Sequence, residues 1–188
     1  AGISGVTVGD GSLTIGAATT HADVSTNADV LNHLPGLACL AAGIGDPAVR
    51  AMGTIGGSVA NNDPAADYPA AMLALGATVV TDRREIAADD FFDGMFTTAL
   101  DEGEISTAIR FPFAERAAYA KLPNPASRYA IAGVFVASSG GGVRVAVTGA
   151  GEDGVHRNGA LEAALSAEFS ADAVATVAPN ECPIRSTG

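Results

Sequence analysis

Residues 54–69 read Thr54-Ile55-Gly56-Gly57-Ser58-Val59-Ala60-Asn61-Asn62-Asp63-Pro64-Ala65-Ala66-Asp67-Tyr68-Pro69. The run opens with two adjacent glycines flanked by hydroxyl side chains and continues into amides and carboxylates. Because glycine has no Cβ, the main-chain N–H groups of Gly56 and Gly57 can approach phosphate oxygens closely. Thr54 and Ser58 add hydroxyl donors on either side. The run therefore predicts a loop that binds a polar ligand. A glycine turn followed by a capped helix is the alternative interpretation.

The carboxylates limit which ligand fits. An aspartate placed directly against a phosphate repels it, so Asp67 is better suited to the hydroxyls of a sugar or ribityl chain. Phosphate donors and a carboxylate in one loop suit a dinucleotide with a polyol. The run is neither G-x-G-x-x-G nor G-x-x-x-x-G-K-[ST], so neither a nicotinamide Rossmann site nor a Walker loop is indicated. FAD bound in another way remains open. Asp67 is equally suited to cap a helix that begins at Tyr68.

Four other segments of the chain are informative together with this run, one pair before it and the others after it. They are Gly16-Ala17-Ala18-Thr19-Thr20-His21-Ala22-Asp23-Val24, Asp46-Pro47-Ala48-Val49-Arg50-Ala51-Met52-Gly53, Phe91-Phe92-Asp93-Gly94-Met95-Phe96-Thr97-Thr98, and Glu104-Ile105 with Ile109-Arg110-Phe111-Pro112. Together with residues 54–69 they resemble the flavin subunits of molybdenum hydroxylases, in particular the medium subunit of aerobic carbon monoxide dehydrogenases. Several motifs in the right order are more specific than one, and the resemblance covers nearly the whole chain.

The resemblance implies an α+β fold of the type-2 FAD-binding kind. Residues 1–124 would form the middle FAD-binding subdomain, with the N-terminal part of the FAD domain and its earlier glycine-rich motif missing. Residues 125–188 would form a truncated C-terminal subdomain, a small antiparallel sheet with helices. The boundary is expected near Pro125, because Pro123-Asn124-Pro125 separates the two halves.

The resemblance also implies a function, that of an oxidoreductase subunit which binds FAD and passes electrons from iron–sulfur clusters to an external acceptor. The expected partners are a molybdenum-binding large subunit with molybdopterin and a small two-cluster iron–sulfur subunit, assembled as a dimer of heterotrimers. The expected cofactor-binding residues are Thr54, Gly56, Gly57, Ser58, Asn61, Asp67, Ile105 as an apolar wall, and Lys121 beside the flavin ring. No catalytic or metal-ligating residue is predicted on this chain.

Lys121 is the only lysine of the chain and lies in Tyr119-Ala120-Lys121. A cation near the pyrimidine edge of a flavin stabilises the negative charge that develops there on reduction. A solvated strand lysine is the alternative interpretation. Two other function classes also remain open, a self-contained flavin oxidoreductase of the same fold and an assembly component that has lost FAD binding. Generic nucleotide binding is a third.

Composition and charge exclude several classes. The net charge is −11 and the basic residues are scattered, so nucleic-acid binding is disfavoured. No apolar run approaches the roughly 20 residues that a membrane span needs, and no secretory start is present, so a cytoplasmic location is expected. Cys39 and Cys182 are far apart and have no ligand spacing, which disfavours metal and iron–sulfur sites. Cys39 lies in an apolar run and is expected to be buried.

Hydrophobic spacing and turn residues predict the local elements. A hairpin is expected around Gly9-Asp10-Gly11 and a second one around Asp82-Arg83. The predicted helices are 22–31, 34–42, a short helix from Asp46 to Gly53, 68–75, a turn at 88–92, 159–166 and 171–177. The predicted strands are 3–8, 12–15, 77–81, 84–86, 104–111, 129–138 and 143–149.

Overall fold

Five strands from the first part of the chain form an antiparallel sheet. They are β1 (Val6–Gly9), β2 (Ser12–Gly16), β3 (Thr78–Thr81), β4 (Glu85–Ala87) and β5 (Ser106–Pro112), arranged in the order β1-β2-β5-β3-β4. The computed structural model describes residues 2–151 and 153–177. The two predicted hairpins are present, β1 with β2 and β3 with β4. The buried positions alternate along β2 and β3, so one face of this sheet contributes to the core.

Six helices lie between β2 and β3 in the chain. They are α1 (His21–Thr26), α2 (Ala28–His33), α3 (Pro35–Ala42), α4 (Pro47–Met52), α5 (Ile55–Asn61) and α6 (Tyr68–Leu75). The chain also contains a short 3-10 helix at Ala88–Asp90. Every residue of α6 is buried. The strongly apolar composition of α6 explains this, since a helix that is hydrophobic on all sides is stable only inside a core.

A second antiparallel sheet follows. Its strands are β6 (Arg116–Pro123), β7 (Ala130–Ser139), β8 (Gly142–Thr148) and β9 (His156–Arg157), in that order across the sheet. The helices α7 (Gly159–Ala167) and α8 (Ala171–Ala175) come after it. Helix α6 packs on β7 and β8 and also contacts β5. One hydrophobic cluster therefore includes residues of both sheets, such as Ile109 and Phe135.

The structure corrects several local predictions. The predicted helix 22–31 is divided at Asn27, whose side-chain oxygen accepts the N–H groups of Asp29 and Val30 and starts a new helix. The predicted glycine loop is the helix α5. The predicted strands do not include 116–123, where β6 lies and where a strand lysine was only the alternative interpretation of Lys121. Cys39 is exposed on α3 rather than buried. The last part of the predicted C-terminal subdomain, residues 178–188 with Cys182, lies outside the described residues.

The change from the first sheet to the second occurs before the proline pair. The first sheet ends at Pro112 and the second begins at Arg116. Because β6 pairs with β7 over most of its length, residues 116–123 share the second sheet and not the first. Within the described residues, none of the helices combines the length and apolar character needed to cross a membrane.

Candidate functional site

A cavity of about 580 Å³ lies between the first part of the chain and a loop of the second sheet. Its volume is in the range of small-molecule and cofactor sites. One wall is α4 with the segment before it, a second is the exposed side of α5, and a third is the loop between β6 and β7. The lining residues are His21, Ile44, Gly45, Asp46, Val49, Met52, Gly53, Thr54, Gly57, Ser58, Asn61, Asp63, Ala66, Asp67, Ala126, Ser127, Arg128 and Tyr129. Five of the eight predicted cofactor-binding residues line it, namely Thr54, Gly57, Ser58, Asn61 and Asp67.

The two glycines of the motif have different surroundings. Thr54 is the N-cap of α5, and its Oγ1 accepts the N–H of Gly57 at 3.1 Å. Gly56 is buried and donates its N–H to the main-chain oxygen of Ala17 at 2.8 Å. The sequence predicts that these two N–H groups are free to bind phosphate oxygens, whereas in the structure each already has an acceptor within the protein. Gly56 lies behind the cavity wall and does not line it, and Gly57 presents an exposed surface to the cavity.

Two predicted residues present polar groups with no partner among the described residues. The Ser58 hydroxyl and the Asn61 side-chain amide line the cavity, and no hydrogen bond of either side chain is found there. Thr54 retains its O–H donor while its oxygen caps α5. An amide supplies both donors and acceptors. This wall can therefore form new hydrogen bonds with a ligand without losing existing ones.

Asp67 is the centre of a buried polar network. Its carboxylate accepts a hydrogen bond from the Tyr119 hydroxyl and another from Lys121 Nζ at 3.0 Å. The side chains of Lys121 and Asp67 are 10% and 6% exposed. Asp67 does not cap α6 through its side chain, so that predicted role is wrong. The reason is that α6 begins with Tyr68-Pro69 deep in the core, and the carboxylate points to partners on β6.

The electrostatics of this network follow from its burial. Desolvation raises the pKa of Asp67 above its ordinary value, and the bonds from Tyr119 and Lys121 oppose that shift. Burial together with the nearby Asp67 charge raises the pKa of Tyr119, so the phenol stays protonated and donates. Tyr119 and Lys121 therefore stabilise the ionised form of the Asp67 carboxylate against the cost of its burial.

Lys121 lies beside the cavity but does not line it. Its Nζ donates to Gly43 O at 2.8 Å, Arg128 O at 3.2 Å and Asp67 Oδ2 at 3.0 Å. An ammonium group has three N–H donors, so the protein uses all of them. The position of Lys121 beside a flavin ring stays a prediction. Lys121 connects three segments that form the cavity walls.

Ile105 also lies outside the cavity lining. The residue is 56% exposed, and its N–H donates to Asp82 Oδ1 at 3.0 Å. The neighbouring Glu104 accepts bonds from Arg84, Thr81 and the Asp101 N–H, which lower the pKa of its carboxyl to about 2. These contacts anchor the start of β5. The role of Ile105 as an apolar wall stays a prediction.

His21 and Arg128 are among the lining residues that the sequence did not predict. His21 is buried at the start of α1, and burial lowers its pKa, so it is neutral at pH 7. Its Nδ1 has no hydrogen-bond partner among the described residues. Arg128 comes from the loop after β6 and reaches the cavity only through the tertiary fold. No local pattern around either residue signals this position.

Comparison with known proteins decides the family. The family described as the FAD binding domain in molybdopterin dehydrogenase matches residues 1–114. This chain belongs to that family. The resemblance, the fold class and the assignment of FAD as the family's cofactor are confirmed. The match ends close to the point where the first sheet gives way to the second.

Individual relatives agree with the family. The carbon monoxide dehydrogenase medium chain of Hydrogenophaga pseudoflava is 36% identical over 178 residues, which are 88% of this chain and 62% of the relative. The glyceraldehyde dehydrogenase medium chain of Sulfolobus acidocaldarius is 39% identical over 131 residues, which are 66% of this chain and 47% of the relative. The structure of the reconstituted CO dehydrogenase from Oligotropha carboxidovorans matches with a TM-score of 0.86 at 30% identity, over 99% of this chain and 70% of that one. The chain thus spans about half to three fifths of the length of these two curated relatives.

Proposed function

We propose that the cavity binds FAD and that the chain serves as the flavin component of a molybdenum hydroxylase. The observation that carries this proposal is the wall formed by Thr54, Gly57, Ser58 and Asn61. It combines an open glycine surface with uncommitted polar groups, inside the region that the FAD-binding family matches. Neutral hydrogen-bond donors on α5 together with the carboxylate of Asp67 suit a ligand with both phosphate and hydroxyl groups.

The residues that line the cavity would have different roles in binding FAD. The hydroxyls of Thr54 and Ser58 and the amide of Asn61 would bind polar groups of FAD, and Asp67 would accept from its ribityl or ribose hydroxyls. Each carboxylate oxygen has two lone pairs, so Asp67 retains acceptor capacity beside its bonds to Tyr119 and Lys121. Lys121 would support the walls of the cavity and would act on the cofactor only through Asp67 and the loop that contains Arg128. Gly56 would allow α5 to pack closely against Ala17.

FAD, when bound, supplies the capacity to accept and pass on electrons. In the proposed complex the electrons come from the iron–sulfur clusters of a small subunit and leave to an external acceptor. A molybdenum-containing large subunit oxidises the substrate, and the whole is a dimer of heterotrimers. The relatives named as medium chains or subunits support this arrangement. The names of these relatives point to three different substrates, namely glyceraldehyde, carbon monoxide and nicotine. Because similar flavin subunits accompany different substrates, we propose that the substrate is determined outside this chain.

We also propose a division of the chain. The first unit would end near Ala114 and the second would begin with β6, because the sheets change there and the family match ends there. This places Tyr119 and Lys121 on the second unit and Asp67 on the first. The cavity therefore lies where the two units meet, which is a common place for cofactor sites.

Replacing Ser58 or Asn61 by Ala tests the proposed site. Each substitution removes hydrogen bonds worth roughly 0.5–1.5 kcal/mol, so we expect the FAD dissociation constant to rise about fivefold in each variant. The measurement is a fluorescence titration of the full-length protein with FAD, accompanied by the visible spectrum of the purified protein. Ser25→Ala is the control, since the Ser25 hydroxyl is half-buried, bonds to Ala22 O and does not line the cavity.

The outcomes separate the competing functions. Unchanged FAD affinity in Ser58→Ala and Asn61→Ala, with tight binding in the parent protein, would place the flavin elsewhere. A parent protein that binds no FAD would favour the assembly component. Flavin reduction by a small organic substrate without partner subunits would favour the self-contained oxidoreductase.

A further inference from the structure

Arg128 is unlike the other basic side chains of the structure. Among the residues described, it alone of the lysine and arginines makes no hydrogen bond, ion pair or ring contact through its side chain. Every other described basic side chain is committed, either to a carboxylate, to main-chain oxygens or to an aromatic ring. These committed residues are Arg50, Arg83, Arg84, Arg110, Arg116, Lys121, Arg144 and Arg157. The free cation lines the cavity.

The backbone that carries Arg128 is fixed from both sides. Its N–H donates to Asn124 O at 2.8 Å, and its own carbonyl oxygen accepts from Lys121 Nζ at 3.2 Å. Arg128 has a φ of 63°, in the left-handed region that residues with a Cβ rarely adopt. The loop is thus held in an uncommon conformation with a long cationic side chain at its tip. Such outliers concentrate where a side chain must be presented to a ligand.

Each carboxylate that lines the cavity already accepts at least one hydrogen bond within the protein. Asp46 Oδ1 accepts the Val49 N–H and Asp63 Oδ1 accepts the Ala65 N–H, both at about 2.9 Å or less. Asp67 is bound by Tyr119 and Lys121. Among the charged side chains that line the cavity, the guanidinium is therefore the one with no partner among the described residues. An anion that enters a cavity with three aspartates needs such a cation, since the field of the carboxylates otherwise repels it.

We propose that Arg128 binds the anionic part of the cavity ligand, which for FAD is a diphosphate oxygen. This inference rests on the proposed function. A planar guanidinium with several N–H donors matches phosphate oxygens and forms charge-assisted hydrogen bonds that are stronger than neutral ones. The cation comes from the loop between β6 and β7, whereas Ser58 and Asn61 come from α5. The two units of the chain would thus hold opposite sides of one ligand.

The experiment compares three probes on the full-length protein. FAD carries both diphosphate and flavin, ADP carries the adenosine and the diphosphate without the flavin, and riboflavin carries only the flavin and ribityl part. For Arg128→Gln we expect the dissociation constants of FAD and ADP to rise about tenfold or more, as for a hydrogen bond to a charged group. The riboflavin dissociation constant should stay within about twofold of the parent value. The FAD affinity of the variant should also depend less on salt.

Two further variants serve as controls. Arg128→Lys keeps the charge and should recover part of the ADP affinity, which a loss of loop structure alone would not allow. Arg83→Gln removes a cation that lies outside the cavity lining and should change none of the three constants. The melting temperature of each variant is measured in parallel, so that a folding defect is recognised.

Each outcome decides the inference. Equal binding of FAD and ADP by Arg128→Gln and the parent protein would overturn it while leaving FAD binding intact. An equal loss of all three probes would also overturn it, because the guanidinium would then support the cavity as a whole. A parent protein that binds neither FAD nor ADP would overturn both this inference and the proposed function.

Discussion

Replacing Lys121 by Met should lower the free energy of unfolding at pH 7 by about 3 kcal/mol or more. Breaking a buried ion pair from one side leaves an uncompensated charge, which typically costs about 3–5 kcal/mol. The pair with Asp67 is almost completely buried, and the main-chain oxygens of Gly43 and Arg128 would lose their donor as well. The measurement is urea unfolding of the full-length protein, followed by circular dichroism.

The pH dependence of this loss follows from the pKa of Asp67. In the parent protein the pKa of Asp67 is higher in the native state than in the unfolded state. Between these two pKa values the native state therefore binds more protons than the unfolded state. The free energy of unfolding falls as the pH rises through that interval. Without Lys121 the native pKa rises further and the interval widens upward. The stability difference between the parent and Lys121→Met should therefore shrink as the pH is lowered from 7 towards 4.

Two comparisons make this prediction specific. Adding Asp67→Asn to Lys121→Met removes the buried charge, so the double variant should be more stable at pH 7 than Lys121→Met and should lose the pH dependence. Arg110→Met breaks an exposed pair with Glu85 and should have a much smaller effect. A Lys121→Met protein as stable as the parent at pH 7 would show that the buried pair contributes little.

The local elements were largely predictable from the sequence. The hairpin at Gly9-Asp10-Gly11 and the end of α6 at Gly76 follow from turn and cap residues, and Gly76 has the left-handed φ of 64° expected of a helix C-cap. The motif at Thr54 and the position of Ser58 and Asn61 on the cavity also follow from the order of residues. These features depend on residues that are close together in the sequence, so a sequence pattern can predict them.

The partners of the site residues were not predictable in the same way. Lys121 is 54 residues from Asp67 and 78 from Gly43 in the sequence, and the pairing of β6 with β7 brings it there. Its single occurrence, at a position that matches the family, suggested a place beside the flavin ring, whereas the fold uses all three of its N–H donors. Arg128 was missed for the same reason, because nothing local shows which cation remains without a partner.

Gly56 and Gly57 show how adjacent identical residues can have different roles. A Cβ built on Gly56 would lie 2.5 Å from the Cβ and 2.7 Å from the main-chain oxygen of Ala17. The Gly56 N–H bonds to that same oxygen, so neither segment can retreat without losing the bond. A Cβ on Gly57 would meet only Thr54 Oγ1, at 3.0 Å, and Gly57 is exposed. The sequence alone assigns both glycines to the ligand.

Gly56→Ala should therefore destabilise the protein by about 3 kcal/mol, at the upper end of the range for overpacked cores. Gly57→Ala is the matched control and should change stability by no more than about 1 kcal/mol, because alanine favours the helix and the one close neighbour is a side-chain atom. Urea unfolding without added FAD measures both. If Gly56 acted only as a cofactor contact, Gly56→Ala would keep the unfolding free energy of the parent and lose only FAD affinity. Loss of stability in Gly56→Ala, with Gly57→Ala unaffected, would show that the first glycine fixes α5 against the strand-to-helix segment at Ala17 and so places Ser58 and Asn61 at the cavity.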